Sequence, residues 1–388
     1  MNFINYGRQT IDTDDINSVV EVLKSDFLTT GPFVSQFEEE IAKYCGAKYC
    51  VVVSNGTAAL HLSSLALLQE NDKVLTTPNS FVATSNSILY AKAKPVFVDI
   101  CEDGNINLDL CEEKLKLDSS IKAIYAVSFS GNMVNQIKLK YLKDKYNIKI
   151  LEDNAHAIGA KYKCKIDNEE LKIQAGSCVN SDISIFSFHP VKHITTAEGG
   201  AITTNNQALY EKIKLLRNHG IVKDNSMKPW EYEIDQLGFN YRLSDLQSAL
   251  GISQLKKLDT FIEKRHQIAQ YYDKALQNMQ YIKPLYKFHT GSSYHLYVVR
   301  VDFTKLQITK EQLFLELKKK NIGVQLHYIP INKQPYYKSL GYGDEITPMM
   351  DKYYQEVLSL PIFPTLSNDE QNYVINELKS ILKTTFLT

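Results

Sequence analysis

Three short stretches of the 388-residue sequence place reactive side chains where a strand gives way to a loop. The first, S-I-F-S-F-H-P-V-K-H-I-T-T-A-E-G-G-A over residues 184–201, leaves a strand-like run, turns through Lys192 and ends in Gly199 and Gly200 ahead of another strand. An amine held there can condense with an aldehyde once its proton affinity is lowered. The second, E-D-N-A-H-A-I-G-A from Glu152, sets Asp153 just past the apolar run 149–151. That is the carboxyl end of a strand, where open α/β sheets bind ligands. The third, Ser54-Asn55-Gly56-Thr57, closes a strand and begins a helix. The unpaired first amides of that helix, with the Thr57 hydroxyl, can hold a phosphate at the positive helix end. Taken singly, each has an ordinary explanation: a solvated surface lysine, a loop acid, a plain helix cap. Together they supply an amine for an aldehyde, an acid for a ring nitrogen and a nest for a phosphate, which is the set that pyridoxal 5′-phosphate (PLP) requires.

The elements that must position these groups follow from periodicity. Apolar residues recur at helical spacing over 14–25 and 34–44, separated by the breaker Thr29-Thr30-Gly31-Pro32. Short apolar runs at 50–53, 74–76, 95–98, 123–127 and 149–151 then alternate with helical stretches at 57–68, 81–90 and 138–146. Such alternation predicts an α/β fold with a mainly parallel central sheet covered on both faces. Near residue 255 the character changes to a long charged helix over 259–277, a strand-like 295–301 and a helical 310–320. The expected division is 1–254 for an N-terminal arm and large cofactor-binding domain, and 255–388 for a smaller α+β C-terminal domain.

Composition narrows the function classes. Lys plus Arg and Asp plus Glu each number 44, so no overall field recruits nucleic acid or an anionic membrane, and an anionic ligand must be held by local groups. The six cysteines contain no C-x-x-C pair and read as reduced and structural. Residues 1–10 lack a basic-then-apolar leader, and no segment approaches the roughly 18 uninterrupted apolar residues of a membrane span, which points to the cytoplasm. His189 and His193 stand four apart as a metal pair would, but Pro190 breaks the helix that would align them and no third ligand is suitably spaced, so no metal is expected. Gly341-Tyr342-Gly343 lacks the third glycine of a dinucleotide loop.

Five motifs in order, S-N-G-T-A-A-L at Ser54, E-D-N-A-H-A-I-G at Glu152, S-F-H-P-V-K at Ser187, T-T-A-E-G-G-A at Thr195, and G-F-N-Y-R-L at Gly238 with Q-S-A-L-G at Gln247, resemble the DegT/DnrJ/EryC1/StrS family of sugar aminotransferases over almost the whole chain. The resemblance implies PLP-dependent transferase fold type I, the aspartate-aminotransferase-like architecture. It also implies that Lys192 binds the cofactor and moves the substrate proton, while Asp153 keeps the pyridine nitrogen protonated. Phe81 matches the aromatic that stacks on the ring, His156 a polar position beside the phenolic oxygen, and Gly56, Thr57 and Ser187 phosphate ligands. Asn240 matches an asparagine given by the neighbouring subunit, which implies an obligate homodimer with shared sites.

Within the family, F-V-D-I-C-E-D-G-N-I-N at Phe97, F-N-Y-R-L-S-D-L-Q-S-A-L-G at Phe239 and Q-L-H-Y-I-P-I at Gln325 are most similar to the C4 aminotransferases of pseudaminic-acid biosynthesis. The implied reaction moves an amino group from L-glutamate to UDP-2-acetamido-2,6-dideoxy-β-L-arabino-hex-4-ulose. Substrate contacts implied by the match are Tyr6, Asp26, Phe27, Leu28, Thr29, Gly56, Ser187, Asn240, Gln325, Leu326, His327 and Tyr328. Other readings stay open: another UDP- or dTDP-linked 4-keto sugar, or a family member without catalysis acting as a scaffold. The family's 3-dehydratase branch replaces the Schiff-base lysine by histidine, whereas here Lys192 is present and His193 only adjoins it.

Overall fold

The apolar runs read as strands become neighbours in one sheet of the computed structural model, which describes residues 2–166, 169–224 and 226–384. After two helices, α1 (Thr13–Leu23) and α2 (Pro32–Cys45), the chain lays down β1 (Tyr49–Val53), α3 (Gly56–Leu67), β2 (Lys73–Thr76), α4 (Val82–Tyr90) and β3 (Lys94–Phe97). It continues through α5 (Leu108–Leu117), β4 (Ile121–Val127), α6 (Gln136–Tyr146) and β5 (Lys149–Asp153). A hairpin follows, β6 (Lys161–Ile166) with β7 (Glu169–Gln174), then β8 (Ile183–Ser187), β9 (Gly200–Thr204) and α7 (Gln207–Arg217).

The seven-stranded sheet has the order β1-β9-β8-β5-β4-β2-β3. From β8 to β3 every pairing is parallel, whereas β9 runs antiparallel to both β1 and β8. Two reversals across β9 restore the common direction, so β1, β8 and β5 all end at the same edge. On one face Val74 and Ile185 pack with Ala59 and Leu62 of α3, Ile88 of α4 and Ile213 of α7, and on the opposite face Phe186 is buried with the helical Ile252, and Ile150 with the helical Leu139. The sequence reading has no counterpart for the β6–β7 hairpin. Its visible alternation, Lys161, Tyr162, Lys163, Cys164, is Lys-rich and carries little apolar signal.

Short strands β10 (Ile221–Val222) and β11 (Glu233–Ile234) form an exposed hairpin before α8 (Asp245–Leu255) and α9 (Leu258–Leu276). The C-terminal unit contains β12 (Ile282–Pro284), β13 (Tyr297–Val301), α10 (Lys310–Lys319), α11 (Pro335–Ser339), α12 (Pro348–Glu356), β14 (Val357–Leu360) and α13 (Asn368–Thr384), with a three-stranded sheet in the order β12-β13-β14. Helix α9 begins just past the expected boundary at 254/255 yet serves both cores: Leu258, Phe261 and Ile262 sit in the large one, and Ile268, Ala269, Tyr272 and Leu276 in the small one. The N-terminal arm does not stay with the large sheet. Its Ile4 is buried in the C-terminal core and pairs with Ile322. Between the units lies a third apolar cluster, where Ile100 and Phe129 meet Leu296, Met350 and Tyr353 and border Tyr6 and Tyr328. Among the described residues no helix is long and apolar enough to cross a membrane.

Candidate active site

Strand β8 ends at Ser187, and the next twelve residues fold back on themselves. Phe188 donates its amide to Gly199 O at 2.8 Å, Thr196 donates to Phe188 O at 3.0 Å, and the Lys192 amide donates to His189 O at 2.8 Å. The Thr195 hydroxyl ties the loop again, donating to Phe188 O at 3.0 Å and accepting from the Ala197 amide at 3.0 Å. This closed loop directs Lys192 into a cavity of about 950 Å³, at the upper end of small-molecule sites, whose wall contains Asp153, Gly56, Thr57, Phe81, His156 and Ser187. Lys192 is partly open to the cavity yet enclosed by protein, and burial lowers its ammonium to about 8, with the Asp153 charge opposing the shift.

Asp153 is the last residue of β5, hydrogen-bonded in register beside β8. Its carboxylate accepts from the Thr84 hydroxyl at 2.6 Å and from the Ala155 amide at 3.1 Å. Burial raises its pKa, and the Thr84 bond, the Ala155 amide and the Lys192 charge each pull it back. His156 is driven well below the ordinary imidazole range, first by burial and then by Lys192, His327 and His193. Its Nε2 lies 3.0 Å from Tyr328 Oη, while its buried Nδ1 has no partner.

The phosphate nest is built by close approach. Asn55 caps α3 by accepting from the Ala58 amide at 2.8 Å, which leaves the Gly56 and Thr57 amides at the open end. A Cβ on Gly56 would lie 2.9 Å from Ser187 Cβ, and one on Gly200 2.6 Å from Asn55 O. Only glycine at both positions lets β8, β9 and the helix start come together. The Phe81 ring, just before α4, is 60% exposed and lies in the cavity wall, although its place in an apolar run suits the core equally well. An amine of lowered proton affinity, a buried carboxylate, a free aromatic face, an unpartnered imidazole nitrogen and an uncluttered helix start together fit PLP.

Tyr6, Gln325, Leu326, His327 and Tyr328 reach the cavity as well. Burial holds the His327 imidazole down at about 3, and its Nδ1 lies 2.9 Å from Ser359 Oγ. Asn240 and Asp26, Phe27, Leu28 and Thr29 are not brought to the cavity of their own chain; all five are exposed. Asn240 is held away by backbone pairing with Asn218, while its neighbour Tyr241 turns inward, its carbonyl accepting from the Ser54 amide at 2.8 Å.

The sequence reading missed Thr84, His61, Glu198, Tyr241 and His295, which also line the cavity. Thr84 had a usable signal, standing three residues after Phe81 and so on the same helical face. His295 had none, since it meets His156, at 4.4 Å between ring centroids, across 139 residues. His193 is buried with Nε2 2.9 Å from Ser293 O. Among the described residues no group of His, Cys, Asp and Glu is arranged to hold a metal, and all six cysteines are free thiols.

Known proteins resemble this chain in both sequence and fold. The profile of the DegT/DnrJ/EryC1/StrS aminotransferase family matches residues 9–379. A UDP-4-amino-4,6-dideoxy-N-acetyl-β-L-altrosamine transaminase of Campylobacter jejuni is 43% identical over 382 residues, 98% of either chain. Among solved structures, an aminotransferase of Helicobacter pylori involved in the biosynthesis of pseudoaminic acid superposes with a TM-score of 0.89 at 32% identity, covering 99% of this chain and 100% of that one. A chain from Streptococcus pneumoniae solved in its PLP form gives 0.87 at 28% identity over the full length of both.

Proposed function

Since the chain belongs to the DegT/DnrJ/EryC1/StrS aminotransferase family, we propose that it transfers an amino group from L-glutamate to C4 of UDP-2-acetamido-2,6-dideoxy-β-L-arabino-hex-4-ulose, in pseudaminic-acid biosynthesis. The observation that carries this reading is the meeting of Lys192, Asp153 and the α3 start in one cavity with Tyr6 and Tyr328. Similarity to the Campylobacter jejuni transaminase over 98% of both chains supports the choice of sugar.

PLP is the cofactor, and when bound it supplies a carbonyl that accepts the amine and a ring that withdraws electrons from the carbon losing its proton. The Gly56 and Thr57 amides and the Ser187 hydroxyl hold its phosphate, and the Phe81 ring covers one face. Asp153 pairs with the ring nitrogen, and His156 stands beside the phenolic oxygen. Lys192 Nζ takes the proton from the α-carbon of glutamate and returns one to C4 of the sugar, a task suited to an amine whose pKa of about 8 lies close to working pH. Tyr6 and the 325–328 segment form the wall against which the sugar and nucleotide rest.

The deciding assay supplies the purified enzyme with L-glutamate and UDP- or dTDP-linked 4-keto sugars of both C5 configurations, and reads product mass and stereochemistry. The expected product is the 4-amino sugar from the UDP-linked L-arabino substrate. Turnover of a dTDP-linked substrate alone would sink the sugar assignment.

The active unit in this reading is a homodimer in the cytoplasm, where nucleotide sugars and PLP are at hand. Large apolar side chains stand exposed on α1 (Ile16, Leu23), in the loop after it (Phe27, Leu28) and around the β10–β11 hairpin (Trp230, Ile234, Leu237, the last 85% exposed). So much exposed apolar surface calls for a partner. The same loop and the exposed Asn240 fall outside their own cavity, which suits delivery to a second copy. Mixing inactive Lys192→Ala with weakened Asn240→Ala protein should restore activity, because some mixed dimers hold one intact site. Activity no higher than the sum of the two separate variants would exclude shared sites.

A further inference from the structure

The F-V-D-I run at Phe97 takes no part in the chemistry above, yet its Asp99 is buried and makes no salt bridge among the described residues. Its Oδ1 accepts from the Ile100 amide at 2.8 Å and the Met350 amide at 2.8 Å, and its Oδ2 from the Met349 amide at 2.8 Å. Met349 and Met350 lie in the first turn of α12, whose own N-cap Thr347 makes no side-chain cap bond. A carboxylate at the edge of the large sheet thus closes the positive end of a helix in the other unit, 250 residues away in sequence.

Helix α12 hands this placement on to the cavity wall. The Tyr353 hydroxyl donates to His327 O at 2.7 Å. Strand β14 follows directly: the Ser359 amide donates to Gln325 O at 2.8 Å and the Gln325 amide to Ser359 O at 3.3 Å. Next along the wall, Tyr328 reaches His156 Nε2 at 3.0 Å. Successive hydrogen bonds thus join Asp99, α12, the 325–328 segment and His156, and Lys192, Asp153, Phe81 and the α3 start stand outside that run.

We propose that Asp99 is a positioning residue: by docking α12 onto the edge of the large sheet it sets where His327 and Tyr328 stand, and so how well the acceptor sugar fits. The role in sugar fit rests on the function proposed above. A carboxylate suits the post, because it accepts from two helix amides at once and its charge complements the helix end.

Steady-state kinetics of the PLP-loaded enzyme separate this role from mere structural support. Asp99→Ala should raise KM for the UDP-4-keto sugar about 10-fold or more, with kcat held within about threefold. Its dissociation constant for PLP should be unchanged. Tyr353→Phe, which removes the hydroxyl bonded to His327 O, should raise the same KM by about threefold or more, and the double variant should be no worse than Asp99→Ala alone, since both act through one segment. Asp99→Asn, which keeps an acceptor oxygen, should fall between, and with Tyr353→Phe it carries the test if Asp99→Ala does not fold. Amide hydrogen exchange supplies a readout independent of the sugar: in Asp99→Asn it should quicken in 349–356 and 325–328 but not in α4 or β5. An unchanged KM, a parallel loss of PLP binding, additive effects or uniform exchange would each overturn the proposal. If the exchange pattern is found but the unsubstituted enzyme turns over no UDP-4-keto sugar, the function is wrong and the docking role of Asp99 stands.

Discussion

Lys192→Ala is expected to give a folded, colourless protein whose amino-transfer rate falls by ~10⁴-fold or more. The side chain has two tasks, holding the cofactor and carrying the substrate proton, and among the described residues no other side-chain amine lines the cavity. The adjoining His193 cannot take over. His193 is buried against Ser293 O, and burial suppresses its protonation. The loop that carries Lys192 is closed by backbone bonds and by Thr195, so removing the side chain leaves the scaffold intact. Absorbance between pH 6 and 10 adds a second readout. Only the neutral amine can attack an aldehyde, and a pKa lowered to about 8 means that PLP uptake by the unsubstituted apo-protein accelerates as pH rises through that value. Acceleration appearing only near pH 10 would show an ordinary solvated lysine, and a coloured, active Lys192→Ala protein would end the assignment.

Asp153→Asn should cost about 10³-fold in rate and weaken PLP binding by roughly 10-fold, while leaving the apo-protein as stable as before or more so. The direction of the stability effect follows from the charge. Burial raises the Asp153 pKa in the folded chain, so the folded state is penalised as pH climbs above the unfolded carboxyl value and the group ionises. Asparagine removes that penalty: its carbonyl oxygen can still accept from the Ala155 amide, and its NH2 can donate to the Thr84 hydroxyl, which turns from donor to acceptor. Rate and thermal midpoint therefore move apart, and a fall in both together would mean that Asp153 serves the fold rather than the cofactor.

Much of the site was legible in the sequence because its central groups sit where periodic runs stop. The ends of 149–151 and 50–53 and the turn after 184 announced Asp153, Gly56 and Lys192 as strand-end residues, and the sheet order brings those three ends to one edge. Periodicity describes one element at a time, however, and says little about which elements meet. His295 approaches the cavity through a tertiary contact with His156 that spans 139 residues of chain. Gly56 is required by a clash with Ser187 that only the packed sheet reveals. The small sheet was seen only through β13, since β12 has three residues and β14 four, too few for a pattern to stand out. The unpredicted β6–β7 hairpin and the burial of Ile4 in the distant core have the same origin: short segments whose placement is decided by partners far along the chain.

Helix α9 has a consequence for how this chain can vary. Its 19 residues, roughly 28 Å of helix, are anchored in one core at the start and in the other at the end. Near the middle, Arg265 is fully buried and holds Tyr294 O, His295 O and Ile362 O through Nη1 at 3.1–3.2 Å. The helix therefore works as a gauge block whose length and phase set the mutual bearing of the two units. A single residue added inside it would swing everything downstream by about 100° and pull Tyr328 out of line with His156, even though neither residue had been touched. Length variation among functional relatives should consequently gather in the turns beyond Leu276 and spare the helix itself.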